Sequence, residues 1–213
     1  MLRRRHLLHL ASLSATLLAF GACGKRAPAV APLKPDAHVL ALGDSLTFGL
    51  GASPEAAWPA QLAQRTGWQV SNAGVNGDTS AGALRRLEDL LEAQQYDAIL
   101  VGIGGNDMLR GMPLQATQDN LAAIVRQALA HTPYVAVIAT PRPKALAAAT
   151  GSLSDAAFYE SVATAEKALL LPKVYSSVLS DAALRSDRIH ANAQGYAAMA
   201  EQLAAQLKEA GWR

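Results

Sequence analysis

The chain has 213 residues, of which 51% belong to the hydrophobic set and 17% are charged. This composition excludes a disordered chain and predicts one compact domain with an appendage. The formal net charge is +2, but from Asp36 onward the sequence holds 13 lysines and arginines against 17 aspartates and glutamates, a net charge of −4. This balance gives no electrostatic reason to expect a nucleic-acid partner.

Residues 1–22 have the build of an export signal, with a basic start at residues 3–5, an apolar stretch and small residues at its end. The apolar stretch, residues 7–22, is shorter than the ~20 residues of a spanning helix, which disfavours the alternative of an uncleaved membrane anchor. Residues 4–8 also resemble the core of a twin-arginine signal. We therefore expect an exported protein of the bacterial envelope.

Cys23 is the only cysteine, so an intrachain disulfide is impossible. It follows residues 18–22 (LAFGA) in a pattern that resembles a bacterial lipobox, with Phe20 in place of the usual aliphatic residue. The resemblance implies a lipid on Cys23 that holds the protein at the membrane without spanning it. A plain secretory signal, cut near Gly21 or Ala22, is the alternative.

The remainder of the chain divides into a tether, residues 23–36, and a folded domain, residues 37–213. The tether is predicted because residues 24–36 hold three prolines and three basic residues without an apolar period. In the domain, apolar runs bounded by turn residues predict strands at 38–42, 68–72, 97–102, 134–140 and, interrupted by Pro172, 169–175. Segments of helical periodicity predict helices at 56–66, 79–94, 119–131, 154–168 and 193–211.

This alternation of strands and helices predicts an open sheet of buried parallel strands with helices on both faces. The binding crevice of such a fold lies beyond the carboxyl ends of the strands, where the strand order reverses. The segments expected there are polar or rich in glycine: GDSL at 43–46, NAGVNGDT at 72–79, GIGGND at 102–107 and SDRIHAN at 186–192.

Ser45 directly follows the first predicted strand, and a serine hydroxyl becomes a good nucleophile only when a neighbouring base takes its proton. Beyond the leader the histidines are His38, His131 and His190. The first two are expected at the opposite edge of the sheet, which leaves His190 as the candidate base. Asp44 is interpreted as a turn residue that bonds to nearby backbone.

Asp187 precedes His190 by three residues, a spacing that can return the carboxylate to the imidazole and hold its tautomer. Acyl transfer also needs donors for the developing oxyanion. The candidates are the backbone N–H groups of Ser45 and Gly77 and the side-chain amide of Asn106.

The sequence lacks the motifs of phosphate binding, dinucleotide binding, the α/β-hydrolase nucleophile elbow and zinc binding. GLGAS at 49–53 lacks the ending of a phosphate loop, GIGGND lacks the third glycine of a dinucleotide fingerprint, and no G-x-S-x-G elbow occurs. The histidines and the single cysteine show no zinc spacing. We expect neither a cofactor nor a metal.

The four segments GDSL, NAGVNGDT, GGND and DRIH resemble, in order, the motif blocks of the SGNH/GDSL hydrolases, and more closely their bacterial arylesterase, thioesterase and lysophospholipase branch. The resemblance implies an α/β fold, a three-layer α/β/α sandwich with a five-stranded parallel sheet of flavodoxin-like type. It also implies a Ser45, Asp187 and His190 triad with an oxyanion hole from Ser45, Gly77 and Asn106. Ala191 stands where relatives often carry proline.

The resemblance implies a carboxylic ester hydrolase that works through an acyl-enzyme on aryl esters and short to medium acyl esters, with acyl thioesters and lysophospholipids as further candidates. Met108, Leu109 and Met112 follow the asparagine and are expected to line an apolar acyl pocket, unless they only cover the sheet edge. One alternative is a carbohydrate O-acetylesterase acting on cell-wall or surface polysaccharide. The other is a non-catalytic envelope lipoprotein.

Overall fold

The computed structural model describes residues 31–143 and 152–213. The predicted export signal, Cys23 and residues 24–30 of the tether lie outside the described residues. The strands are β1 (His38–Gly43), β2 (Gln69–Gly74), β3 (Ala98–Gly102), β4 (Val135–Ile138) and β5 (Leu169–Leu171). The α-helices are α1 (Ser45–Phe48), α2 (Trp58–Thr66), α3 (Ser80–Ala93), α4 (Gly105–Leu109), α5 (Leu114–His131), α6 (Phe158–Glu166), α7 (Val174–Ser180) and α8 (Ala193–Glu209).

The five strands form one parallel sheet in the order β2-β1-β3-β4-β5, which confirms the predicted fold. β3 and β4 are buried throughout, and β1 is buried except at His38, as expected of strands covered on both faces. β2 was expected to be buried as well, but it lies at a sheet edge and is half-buried to exposed. Side chains of a strand point to the two faces of the sheet, so this exposure means that the flanking helices cover β2 less completely than the central strands.

The predicted strand at 169–175 was wrong beyond Leu171. Pro172 has no N–H for the ladder, so β5 ends before it, and residues 174–180 form the helix α7. The helix predicted at 154–168 is shorter, because Asp155 bridges to Pro141 and α6 begins only at Phe158.

Each face of the sheet has its own apolar core, and alternate strand residues point into one or the other. One core joins the sheet to α2, α7 and α8 through Val39, Ala41, Leu100, Ile138, Trp58, Leu62, Tyr175, Tyr196, Met199 and Leu203. The other joins it to α3, α5 and α6 through Leu40, Leu42, Ile99, Val101, Val137, Leu87, Leu121, Ile124 and Tyr159. The three layers are therefore helix, sheet and helix.

The strand order reverses at β1, because the chain passes from β1 outward to β2 and then back across to β3. The segment after β1 thus lies at the switch point where α/β folds bind ligands. Among the described residues, no helix has both the length and the apolar character that crossing a membrane requires.

Candidate active site

A tight turn between strand and helix holds Ser45. β1 ends at Gly43 and α1 begins at Ser45, while the Asp44 carboxylate accepts a hydrogen bond from the Leu46 N–H at 3.0 Å. A Cβ on Gly43 would lie 2.6 Å from the Gly102 carbonyl oxygen, so this close approach requires glycine. The interpretation of Asp44 as a turn residue is confirmed, and Ser45 stands at the carboxyl edge of the sheet with 8% of its surface exposed.

A closed loop before α8 carries the histidine. Arg185 and Ala191 form an antiparallel bridge across its base, and the Ser186 N–H donates to the His190 carbonyl at 3.0 Å. Inside the loop, one oxygen of Asp187 accepts hydrogen bonds from the backbone N–H groups of residues 189 and 190, each at 2.8 Å. This local turn places the carboxylate beside the imidazole.

The structure brings Ser45, His190 and Asp187 into one hydrogen-bonded row. His190 Nε2 lies 2.9 Å from Ser45 Oγ, and His190 Nδ1 lies 2.7 Å from Asp187 Oδ2. Burial by itself raises the pKa of Asp187, but the hydrogen bonds from His190 and the backbone outweigh it and hold the pKa below its usual range. The carboxylate is then only an acceptor, so Nδ1–H donates to it and Nε2 is free to accept the serine proton.

The candidate oxyanion donors lie at the same edge of the sheet. The Asn106 amide donates to the Asp78 carbonyl at 2.9 Å and lies 3.5 Å from an oxygen of Asp44. Gly77 has a φ of +73°, and its carbonyl accepts from Arg110 at 2.7 Å. Within residues 31–143 and 152–213, the N–H groups of Ser45 and Gly77 have no hydrogen-bond partner.

An ion pair that the sequence reasoning missed supports the loop after β2. Arg86 Nε donates to Asp78 at 2.9 Å, and its Nη2 donates to the Gly43 carbonyl, also at 2.9 Å. Because Asp78 in turn holds the Asn106 amide, Arg86 ties that amide to the end of β1. Asp78 can be recognised in the sequence as the acid of the GDT segment, but nothing in the sequence of α3 identifies Arg86 as its partner.

A buried cluster, likewise missed, joins α3 to α4. Asp107 is 1% exposed and accepts hydrogen bonds from the Ser80 N–H at 2.9 Å and the Ser80 hydroxyl at 2.6 Å. The Asn120 amide donates to the same hydroxyl at 3.0 Å. Asp107 therefore fixes the helix that carries Asn106 to the start of the helix that follows Gly77.

Asp44 is a buried acid beside the row of three side chains. Burial raises its pKa to about 7, against the opposing effects of the Leu46 N–H and of His190. Near neutral pH this carboxyl is therefore protonated in part of the molecules.

A cavity of about 340 Å³ opens in front of Ser45 and His190. Its walls are mostly apolar and include Leu46, Leu109, Pro141, Pro143, Leu153, Leu179 and Ile189, with Asn106, Thr140, Arg142 and Arg188 as polar members. Met108 and Met112 are not among the lining residues. Met108 packs against the core under α3 and α5, and Met112 is 37% exposed. Of the three expected pocket residues, only Leu109 therefore faces the cavity; Gly77 also lies outside its lining.

In the part of the chain that the structure describes, no group of three or more His, Cys, Asp or Glu side chains is arranged to hold a metal ion.

The sequence matches the model of the GDSL-like Lipase/Acylhydrolase family over residues 41–198. It is 36% identical over 180 residues to thioesterase 1/protease 1/lysophospholipase L1 of Escherichia coli strain K12, covering 80% of this chain and 83% of that protein. It is 35% identical over 142 residues to esterase TesA of Pseudomonas aeruginosa, covering 63% of this chain and 69% of the relative.

Solved structures agree with this assignment. The crystal structure of TesA superposes with a TM-score of 0.73 at 30% identity, over 81% of this chain and 99% of that one. Esterase EstA from Pseudoalteromonas sp., in a structure inhibited by monoethylphosphonate, gives a TM-score of 0.70 at 26% identity, over 82% and 98%. The resemblance read from the four motif segments is thus confirmed, and the chain belongs to the GDSL-like lipase/acylhydrolase family of carboxylic ester hydrolases.

Proposed function

We propose that this esterase hydrolyses carboxylic esters through a covalent acyl-enzyme on Ser45, with His190 as the base and Asp187 as the residue that orients it. The observation that carries the proposal is the 2.9 Å contact between Ser45 Oγ and His190 Nε2, side chains 145 positions apart in the sequence. A nucleophile, a base and an orienting carboxylate in one hydrogen-bonded row is the arrangement that serine acyl transfer requires.

In the first half of the reaction, His190 Nε2 takes the proton of Ser45 while Oγ attacks the ester carbonyl carbon. The carbonyl oxygen becomes negative and receives N–H donors from Ser45, Gly77 and Asn106. The tetrahedral intermediate then expels the alcohol, which leaves with the proton from His190. The positive imidazolium is stabilised meanwhile by Asp187, whose lowered pKa keeps it ionised.

In the second half, His190 takes a proton from water, and the hydroxide attacks the acyl carbon. Collapse of the second tetrahedral intermediate releases the carboxylic acid and returns the proton to Ser45. The balance is one ester and one water consumed for one acid and one alcohol, and the protein's own side chains carry every proton.

The cavity walls support esters with an apolar acyl group. Leu109 lies three residues after Asn106, so apolar surface begins beside the proposed oxyanion hole. In the described residues, the large apolar side chains that remain exposed are Phe48, Leu50, Val75, Leu109, Met112, Leu114 and Ile189, all of them in segments that follow strand ends or in the histidine loop. We therefore propose aryl esters and short to medium acyl esters as substrates. Acyl thioesters and lysophospholipids are further candidates, since a relative is named thioesterase 1/protease 1/lysophospholipase L1.

The direct test is Ser45→Ala, assayed with p-nitrophenyl butyrate and with a fluorophosphonate probe. The variant is expected to lose both turnover and labelling while its circular dichroism spectrum stays that of the wild type. Ser161→Ala is the matched control, since Ser161 is an exposed residue of α6 and should retain full activity. Wild-type turnover by Ser45→Ala would sink the assignment.

We also propose export with lipid attachment at Cys23, which rests on the sequence of residues 1–23 alone. Incorporation of radiolabelled palmitate that disappears in Cys23→Ser would support the lipid, and absence of incorporation in the wild type would refute it.

A further inference from the structure

An exposed arginine joins α4 to the loop after β2. The Arg110 guanidinium donates a hydrogen bond to the Gly77 carbonyl at 2.7 Å, and the Arg110 N–H donates to the Asn106 carbonyl at 3.0 Å. Among the described residues, Arg110 takes part in no ion pair. A hydrogen bond from a charged donor is roughly twice as strong as one between neutral groups. Arg110 therefore links the helix that carries Asn106 to the carbonyl that precedes Asp78.

This link matters because the same loop orients the Asn106 amide. Its NH₂ group has two hydrogens, and one of them donates to the Asp78 carbonyl at 2.9 Å. With the amide turned the other way, its oxygen would face that carbonyl, and two acceptors repel each other. Within residues 31–143 and 152–213, the other acceptor near the NH₂ group is Asp44, at 3.5 Å. One N–H is thus available in the cavity that Asn106 lines together with Ser45.

The position of the Asp78 carbonyl depends on a turn at residues 75–78. The Asp78 N–H closes this turn with a 3.1 Å hydrogen bond to the carbonyl three residues earlier, and Gly77 has a left-handed φ of +73°. The first two residues of the turn are exposed, so packing does little to hold it. In the described structure, the side chains that bond to the backbone carbonyls of this turn are those of Arg110 and of Asn106 itself.

We propose that Arg110 is a positioning residue for the Asn106 amide. Its guanidinium holds the Gly77 carbonyl and thereby the adjacent Asp78 carbonyl, which keeps an N–H of the amide directed at the developing oxyanion. Arg110 is not among the residues that line the cavity, so it acts through Asn106 and not by contact with the substrate. This inference rests on the proposed function, in which Asn106 serves the oxyanion hole.

The first test is Arg110→Met, assayed with p-nitrophenyl butyrate, because methionine keeps a long side chain without a donor. We expect kcat to fall about 10-fold, less than the ~10²- to 10³-fold of a lost oxyanion donor. Both half-reactions pass through an oxyanion, so both should slow, and KM should stay within about two-fold of wild type. Arg110→Lys retains one charged donor, so its kcat should lie between those of the methionine variant and the wild type.

Arg85→Met is the matched control. Arg85 is an exposed arginine of α3 that makes no ion pair in the part of the chain that the structure describes. This variant should keep the wild-type kcat. The urea midpoints of Arg85→Met and Arg110→Met should agree, because both arginines are exposed and neither belongs to a core.

A double-mutant cycle with Asn106→Ala separates positioning from a general structural effect. Asn106→Ala should lower kcat by ~10²- to 10³-fold. If Arg110 acts through the Asn106 amide, adding Arg110→Met to this variant should lower kcat by at most about two-fold more. A structural effect independent of the amide would lower kcat by the same factor with either residue at position 106.

Four results would overturn the inference. They are an unchanged kcat in Arg110→Met, a raised KM at constant kcat, a lysine variant as slow as the methionine variant, and a further loss of about 10-fold in the double variant. The raised KM would indicate a direct substrate contact. Failure of the proposed function is distinguishable from all four, because Ser45→Ala would then keep the wild-type kcat.

Discussion

Asp107→Asn tests whether the buried cluster between α3 and α4 holds the proposed oxyanion donors. The Asp107 carboxylate accepts two hydrogen bonds from Ser80, one from its N–H at 2.9 Å and one from its hydroxyl at 2.6 Å. An asparagine of nearly the same shape offers one oxygen and one NH₂ group, so only one of these bonds can remain. The other Ser80 donor then faces a second donor in a site that is 1% exposed.

A buried donor without a partner costs about 1–3 kcal/mol, so Asp107→Asn is expected to lower the free energy of unfolding by about 2 kcal/mol. The catalytic effect follows from position, since Asn106 precedes Asp107 on α4. Removing an oxyanion donor outright typically costs ~10²- to 10³-fold in kcat. A displaced donor should cost less, about 10-fold in kcat with KM nearly constant, because the contact acts mainly in the transition state.

Urea unfolding followed by circular dichroism measures the first quantity, and hydrolysis of p-nitrophenyl butyrate measures the second. Asp119→Asn serves as the control, because Asp119 is an exposed acid of α5 that bonds to Gln115, and it should stay within about 0.5 kcal/mol of wild type. If Asp107→Asn matches the wild type in unfolding free energy and in kcat, Asp107 does not hold the oxyanion donors.

Two further predictions concern α4 and Asp44. Gly104→Ala should destabilise the protein by about 3 kcal/mol or more in urea unfolding, since Gly104 has a φ of +112° and a Cβ would lie 2.7 Å from the buried hydroxyl of Tyr159. Gly111→Ala is the control and should cost about 1 kcal/mol, because Gly111 has a φ of +64° and a Cβ there would meet nothing within 4 Å. Equal losses of unfolding free energy in the two variants would contradict this prediction. Burial raises the pKa of Asp44 from 3.8 to about 7, so the folded state binds this proton more tightly than the unfolded chain, and the stability that Asp44 contributes falls as the pH rises through that window. Between pH 3.8 and about 7 the unfolding free energy of Asp44→Asn should therefore rise relative to that of the wild type, and above pH 7 the difference should stay constant. A difference that does not change with pH would show that the pKa of Asp44 is not raised.

Much of the site was predictable because its residues follow strand ends. Parallel strands bring their carboxyl ends to one edge, so the alternation of apolar runs and helical segments was enough to expect Ser45 and Asn106 close together. His190 was then identified by elimination, since His38 begins β1 and His131 ends α5 at the opposite edge. The His131 ring in fact accepts a hydrogen bond from the Tyr96 N–H, well away from Ser45.

The short helices were less predictable. α1, α4 and α7 have 4, 5 and 7 residues, too few to display an apolar period. The residues that line the cavity were also difficult to predict, because α4 is too short for its buried face to be recognised in the sequence. Leu109 and Met108 are neighbours on α4, and a helix turns consecutive side chains about 100° apart, so one lines the cavity while the other enters the core.

The layered fold, the family and the residues expected near Ser45 were predictable from the sequence, because they depend on local periodicity and on motifs that lie at strand ends. The partners that hold these residues in place became visible in the folded chain. Arg86 meets the Gly43 carbonyl across 43 positions, Asp107 meets Ser80 across 27, and Arg188 enters the same cavity as Arg142. Such contacts join elements that the two apolar cores bring together, so the sequence pattern of one segment does not identify its partner in the other.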